Sequence, residues 1–346
     1  MTAGDLRKNL ELLKCAAGGL GTQTDAVLCA PDIMAASDGK LTIRIPQSLG
    51  LNSVLSIEAL LSVTKGIRSE AELTFEPTPA GSDAPIQIKS GRFKATLATK
   101  DIPPGEFRGT ENNCDWSNPD PTLIGTLRHS LSAMNKGDDK PQYASAYVQP
   151  HEVWSSNGFR IFKQAIPNEA TPASIPGAFI NLIFGHKLLE AVRSIHFGAD
   201  YVAALCGGEL NKPETQIFVA STYTSTPFQE GWRQMLPTDE SILTWIDLPL
   251  TDEVKDLLNR LSTYGTVVQF TLKDGTLSAN CASDMVKIED AVSVEGDGAF
   301  AVTVRPEHLL WGLEVSPRLA IVADRFPRMV FGSVGSDTRG LTSILA

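Results

Sequence analysis

Apolar and polar residues alternate along three short stretches of the chain. Leu41, Ile43 and Ile45 stand against Lys40, Thr42 and Arg44; Phe93, Ala95 and Leu97 against Arg92, Lys94 and Thr96; Val268, Phe270 and Leu272 against Gln269, Thr271 and Lys273. A period of two predicts strands with one buried face. Elsewhere the period is three to four, in Leu6, Leu10 and Leu13, in Leu123, Leu127, Leu131 and Met134, and in Val254, Leu257, Leu258 and Leu261. Those spacings predict amphipathic helices. A second set of helices is predicted around the pairs Leu60-Leu61, Leu188-Leu189 and Leu309-Leu310. Pro306 opens the last of these, where its missing N–H would have had no partner. The six helical segments are placed at 5–16, 56–68, 121–137, 184–195, 251–265 and 305–318.

Between the two helices of each set stands a turn dipeptide: Asp38-Gly39, Asn157-Gly158 and Asp274-Gly275. Such dipeptides supply the positive φ that tight hairpins need. Their glycines are 119 and 117 residues apart in a chain of 346, about one third each time. A fixed spacing with the same surroundings is the mark of a threefold repeat. Turn-forming stretches divide the thirds, Ile102-Pro103-Pro104-Gly105 through Trp116-Ser117-Asn118-Pro119 and Leu236-Pro237-Thr238-Asp239. Three domains are therefore expected, 1–112, 113–239 and 240–346. Each is an antiparallel sheet covered on its apolar side by two helices, which makes the fold class α+β.

Composition narrows the function by exclusion. A content of 42% hydrophobic and 20% charged residues suffices for two or three cores of ordinary size. No apolar run approaches the roughly 20 residues that cross a bilayer, and Met1-Thr2-Ala3-Gly4-Asp5 lacks the basic and apolar regions of a secretory signal, so a cytoplasmic protein is expected. Cys15, Cys29, Cys114, Cys206 and Cys281 are odd in number and far apart, which suggests buried free thiols. Gly18-Gly19-Leu20-Gly21-Thr22 follows a helix instead of a strand and lacks the Lys-Ser/Thr pair of a phosphate loop, so a helix cap and turn fit it better. Gly332-Ser333-Val334-Gly335-Ser336 has valine where a nucleophile elbow needs serine and reads as a hairpin turn. His129, His151, His186, His196 and His308 show no metal-ligand spacing and read as lone helix-surface residues. Trp116, Trp154, Trp232, Trp245 and Trp311 are expected in cores or at boundaries. No catalytic residue, metal or cofactor is expected, and the chain does not read as an enzyme.

Charge is distributed unevenly. The six helical segments as placed carry 13 Lys or Arg and 9 Asp or Glu, a net of +4, while the remainder carries 17 and 31, a net of −14. Basic helices in an acidic protein suit a face turned toward a polyanion, because backbone phosphates are bound through Lys and Arg.

These residues resemble the bacterial DNA polymerase sliding clamp, the beta clamp, over nearly the whole length and in order. Ile88-Lys89-Ser90-Gly91-Arg92-Phe93-Lys94-Ala95-Thr96-Leu97, after the helix Ile57 to Ile67, is similar to the strand that closes the family's first domain. Ser155-Ser156-Asn157-Gly158-Phe159-Arg160-Ile161 up to Ile166-Pro167 is similar to the second domain's Thr-Asp-Gly-His-Arg-Leu segment. Leu182 to Ile195, with Glu190 and Arg193, resembles that domain's second helix, and Trp232-Arg233-Gln234-Met235-Leu236-Pro237 its exit toward the third, which matches more loosely.

The resemblance implies a processivity factor built as a head-to-tail ring of two three-domain chains. Helices line the hole, duplex DNA passes through without being read, and polymerase, clamp loader and repair proteins dock through a short peptide of Gln, Leu and an aromatic or Leu residue. It implies a peptide pocket at Ala144, Ser156, Gly158, Phe159, Arg160, Ile161, Met235, Leu341, Ile344 and Leu345, with one guanidinium at the rim. It implies DNA-facing residues Lys65, Arg128, Lys136, Lys140, Gln142, Tyr143, Lys187 and Arg193. Phe159 stands where the family has His, Ala144 where it has a bulkier Leu, and the tail Leu341-Thr342-Ser343-Ile344-Leu345-Ala346 lacks the Met-Pro-Met-Arg-Leu style ending. The first third has no evident strand before Leu6 and is short between Ile45 and Ile57. Such drift suits a phage-encoded or otherwise divergent clamp. A β-rich assembly or scaffold protein that keeps the fold without the DNA role is the alternative.

Overall fold

The computed structural model describes all residues except 18–24, 78–84, 103–106, 108–113, 136–139, 190, 199, 210–211, 223–226, 239–240, 243, 266, 283–286, 297, 324–326, 333–336 and 344–346. The first third holds α1 (Ala3–Lys14), β1 (Ala26–Cys29), β2 (Met34–Ser37), β3 (Leu41–Ile45), β4 (Ser53–Ser56), α2 (Ile57–Lys65), β5 (Thr74–Pro77), β6 (Ile86–Ser90) and β7 (Phe93–Leu97). The middle third follows with α3 (Pro121–Ser130), β8 (Ser145–Gln149), β9 (Glu152–Ser156), β10 (Arg160–Ala165), β11 (Ala173–Pro176), α4 (Gly177–Gly185), β12 (Val192–Phe197), β13 (Tyr201–Cys206), β14 (Ile217–Thr222) and α5 (Gly231–Met235). The last third holds β15 (Ile246–Asp247), α6 (Asp252–Ser262), β16 (Val268–Lys273), β17 (Thr276–Ala282), β18 (Lys287–Ser293), β19 (Phe300–Val304), α7 (Pro306–Val315), β20 (Arg318–Val322), β21 (Arg328–Phe331) and β22 (Thr338–Ser343).

Side chains cap the starts of three helices. Thr2, Ser56 and Thr251 accept hydrogen bonds from the backbone N–H groups of Asp5, Ala59 and Val254 at the starts of α1, α2 and α6, and Pro306 opens α7. The repeated turn is also alike in detail. Asp38 Oδ1 accepts from the amides of Lys40 and Leu41, and Asn157 Oδ1 from those of Phe159 and Arg160; Ser37 and Ser156 each bond the following glycine N–H. The third turn differs, with both Asp274 (φ 49°) and Gly275 (φ 70°) left-handed, as a two-residue hairpin requires.

Two compact units result. The first comprises 1–120 and 178–225, the second 121–177 and 226–346. In the first unit a seven-stranded antiparallel sheet runs β12-β13-β14-β3-β2-β1-β4, and a three-stranded sheet runs β5-β6-β7. In the second, an eight-stranded sheet runs β11-β8-β9-β10-β22-β21-β20-β15 and a four-stranded sheet β18-β17-β16-β19. Both larger sheets join strands of different thirds, by Val219 opposite Ile43 and by Phe162 opposite Gly340. In the last third Val254, Leu257, Leu258 and Leu261 of α6 and Leu309 and Leu313 of α7 bury against Val268, Phe270 and Leu272.

One helix lies elsewhere than predicted. The segment 184–195 is not a helix: α4 ends at Gly185, Leu188 and Leu189 sit in a 3₁₀ turn (Lys187–Leu189), and Arg193 belongs to β12. The run Gly177 to Gly185 is apolar on nearly every side, so it offers no helical period, whereas the Leu-Leu pair imitates one. The charge contrast depended on those boundaries and does not hold. The six helices that answer to the predicted segments carry seven Lys or Arg and eight Asp or Glu. Arg68, Lys136, Lys187, Arg193, Arg305 and Arg318, which made the segments basic, all fall beyond the helix ends.

Among the described residues no helix is long and apolar enough to cross a membrane. All five cysteines are free, but only Cys29, Cys206 and Cys281 are buried; Cys15 is exposed and Cys114 intermediate. Burial pushes the Cys29 and Cys206 thiols up to about 12. Among the described residues no three His, Cys, Asp or Glu side chains converge as metal ligands. The histidines are not all on helix surfaces: His196 lies on β12 and its Nδ1 accepts from the Asp115 amide at 2.9 Å. The run 18–22 lies outside the described residues, as do 333–336 between the paired strands β21 and β22.

Candidate partner-peptide site and nucleic-acid face

Several of the candidate pocket residues gather around the β9–β10 turn of the second unit. Gly158 is left-handed at φ +90°, and a Cβ there would lie 3.6 Å from the Tyr143 ring. Phe159 follows, 64% exposed. Its carbonyl accepts from Ser343 N at 3.2 Å, which extends the β10–β22 ladder toward the end of the chain. Ile161 opposes Leu341 on that ladder, and the two bury with Tyr147, Trp154 and Trp232. Tyr143, Phe228 and Leu236 pack against the same cluster. Met235, at the end of α5, is 51% exposed. Ala144 is partly buried and Ser156 buried, while Ile344 and Leu345 lie outside the described residues.

Arg160 does not stand free at the rim. Its Nη2 donates to the Glu307 carbonyl at 3.1 Å and its guanidinium lies 5.4 Å from the Trp311 ring centre. Burial lowers its pKa, against the raising influence of Glu307 and Glu314. Both partners come from α7, far away in sequence, so the guanidinium is drawn inward by a contact that no local pattern records.

His308, next on α7, was likewise unforeseen. Its ring tilts against Phe159 at 6.3 Å and its Nδ1 shares a 3.2 Å hydrogen bond with Thr342 Oγ1. Burial and the nearby Arg160 bring its pKa from 6.5 down to about 4, with Arg305 adding to them and Glu307 opposing. The unfolded chain therefore binds a proton that the folded one refuses between about pH 6.5 and 4, so stability falls as pH drops through that window. Urea midpoints at pH 7 and pH 5 test this: His308→Gln is expected to shrink the difference, and an unchanged difference would contradict it.

The DNA-facing candidates are less uniform. Lys65 and Arg128 are exposed in the last turns of α2 and α3, and Lys187 is exposed in its 3₁₀ turn. Arg193 is half-buried and its Nε donates to the Gly207 carbonyl at 3.4 Å. Lys140 is exposed with its Nζ 6.0 Å from the Tyr143 ring, the Gln142 carbonyl accepts from the Tyr147 hydroxyl, and Lys136 lies outside the described residues. Tyr143 itself stacks on Trp232 at 6.4 Å and 19°, so it belongs to the pocket's aromatic cluster. The missed members, Phe228, Trp232 and Arg233, do carry a signal in the sequence, since two aromatics and a cation within six residues are unusual in a linker.

Neither a family model nor a curated protein sequence matches the chain. Solved structures do. The beta clamp of Helicobacter pylori, bound to a DNA ligase peptide, is 12% identical with a TM-score of 0.77, covering 100% of this chain and 99% of that one. The DNA polymerase III subunit beta of Pseudomonas aeruginosa is 14% identical at 0.76, covering 100% and 99%. The DNA polymerase sliding clamp of Bacillus subtilis is 14% identical at 0.76, covering 100% and 98%. At such identities the likeness is one of fold. From end to end, the chain has the fold of the bacterial DNA polymerase III beta sliding clamps.

Proposed function

We propose that the protein is a DNA sliding clamp, a processivity factor that encircles duplex DNA without reading its sequence and tethers polymerase and other replication proteins through the β9–β10 pocket. The full-length likeness to beta clamps, shared with no sequence match, carries this reading. On it, the three thirds are clamp domains, each contributing two strand groups and two main helices, and the clamp catalyses nothing. The peptide bound to the Helicobacter pylori clamp is the model for partners here. Lys65, Arg128, Lys140 and Lys187 are the cations offered to phosphate, from helix ends and turns instead of helix faces.

A head-to-tail ring needs two different surfaces that complement each other. The three-stranded sheet ends in β7, whose Phe93 and Lys94 are exposed, as is Arg92 in the turn before it, while its other edge strand, β5, is blunted by Pro77. The four-stranded sheet ends in β18, where Glu289 pairs with Lys287 and Asp290 with Arg260, and Glu295 is exposed just beyond the strand. An open strand edge on each of the two sheets suits pairing between copies. Sedimentation at micromolar concentration is expected to give twice the 37.2 kDa chain mass, and a stable monomer would contradict the ring.

The scaffold alternative draws on one observation, the even charge of the helices. It predicts the same dimer but no hold on circular DNA.

A further inference from the structure

We propose that Arg233 is a positioning residue of the peptide pocket, acting as a latch that holds the wall formed by Trp232 and Met235 against strand β9. The inference rests on reading this surface as a partner-peptide pocket. Helix α5 has five residues, Gly231–Met235, too short to persist on its own hydrogen bonds. Its place must come from side chains. Trp232 stacks on Tyr143 and meets Tyr147 edge-on at 5.3 Å. Arg233 does the rest: its guanidinium pairs with the Glu152 carboxylate and lies 5.4 Å from the Trp154 ring centre and 5.0 Å from that of Phe228.

The Arg233 side chain is 41% exposed and also pairs with Glu230 at 3.2 Å, so it is the burial of its other partner that sets this pair apart from an ordinary surface ion pair. The Glu152 side chain is 14% exposed and is also held by Lys163 at 3.2 Å. A planar guanidinium that pairs and stacks at once is constrained in a way that lysine cannot copy. Glu152 opens β9, and the other end of that strand, Ser156, bonds the Gly158 amide of the pocket turn. The pair therefore ties the short helix α5 to the strand that leads into the pocket turn. Breaking it leaves every residue that would touch a peptide in place chemically, yet frees Met235 from its register.

The test uses the full-length protein and a fluorescein-labelled Gln-Leu-Ser-Leu-Phe peptide, with dissociation constants and thermal midpoints for wild type, Arg233→Gln, Glu152→Gln and the double variant. Each single variant is expected to weaken binding about tenfold with nearly unchanged midpoints, and the double no more than either alone, because both break one latch. Arg233→Lys, which keeps the charge and loses the stacking, is expected to fall between and carries the test where the glutamine variants do not fold. Wild-type affinity in Arg233→Gln, or losses that add in the double variant, would overturn the proposal. A wild-type protein that does not bind the peptide would instead overturn the pocket reading, and the latch with it.

Discussion

Replacing Gly312 by alanine is expected to lower the stability of the second unit by about 3 kcal/mol, the upper part of the range for overpacking a filled core. A Cβ at Gly312 would overlap three ring carbons of Phe331, and that ring is fully buried among α7 and β21 neighbours with Trp311 edge-on at 6.4 Å. The ring has nowhere to go. On the same face of α7, Gly340 of β22 would set a Cβ 3.1 Å from the Trp311 ring, so helix and sheet meet through two glycines. Gly125→Ala is the control, since a Cβ there meets nothing within 4 Å on α3. It is expected to stabilise by roughly 0.5–1 kcal/mol through helix propensity alone. Urea unfolding followed by tryptophan fluorescence reads both. A Gly312→Ala midpoint equal to that of wild type would mean that α7 sits farther from β21 than described.

On the proposed ring, Phe93→Asp is expected to convert dimer to monomer, raising its dissociation constant at least about 30-fold, the 2 kcal/mol of an interface hot spot. Phe93 is 40% exposed on the edge strand β7, between exposed Arg92 and Lys94. An open edge with an apolar residue invites pairing with another chain. Aspartate there would remove the apolar anchor and place an uncompensated carboxylate in the seam proposed between copies. Sedimentation equilibrium checks it; a dimer of unchanged strength would place the ring contact elsewhere. If the proposed ring holds DNA topologically, the same variant is expected to lose that hold with every residue proposed to face DNA unchanged.

Much of this architecture is legible in the sequence because it is local. The turn residues Asp38, Asn157 and Asp274, the caps Thr2, Ser56 and Thr251 and the alternating strands β3, β7 and β16 all act within a few residues of themselves. The fourth helix was misplaced where an all-apolar run hides its period and Leu188-Leu189 supplies a false one. The seams β14–β3 and β10–β22 pair residues more than a hundred positions apart, and no periodicity announces such pairing. The pocket behaves the same way. Gly158 and Phe159 are recognisable from their turn, whereas the inward pull on Arg160 comes from Glu307 and Trp311, and the role of Tyr143 from Trp232. The charge reading failed for a related reason: a net charge assigned to helices is only as good as their ends, and six cations lay just past them.

On the proposed function, the protein holds DNA by surrounding it. Retention on nicked circular DNA compared with the same DNA linearised, by gel filtration in salt high enough to remove phosphate contacts, tests it most directly, once a clamp loader or spontaneous opening has admitted the circle. Protein is expected to elute with the circle and to be lost when the DNA is cut, as a closed ring sliding off a free end. Equal loss from both forms, from a protein that sediments as a dimer, would contradict it and leave the scaffold reading.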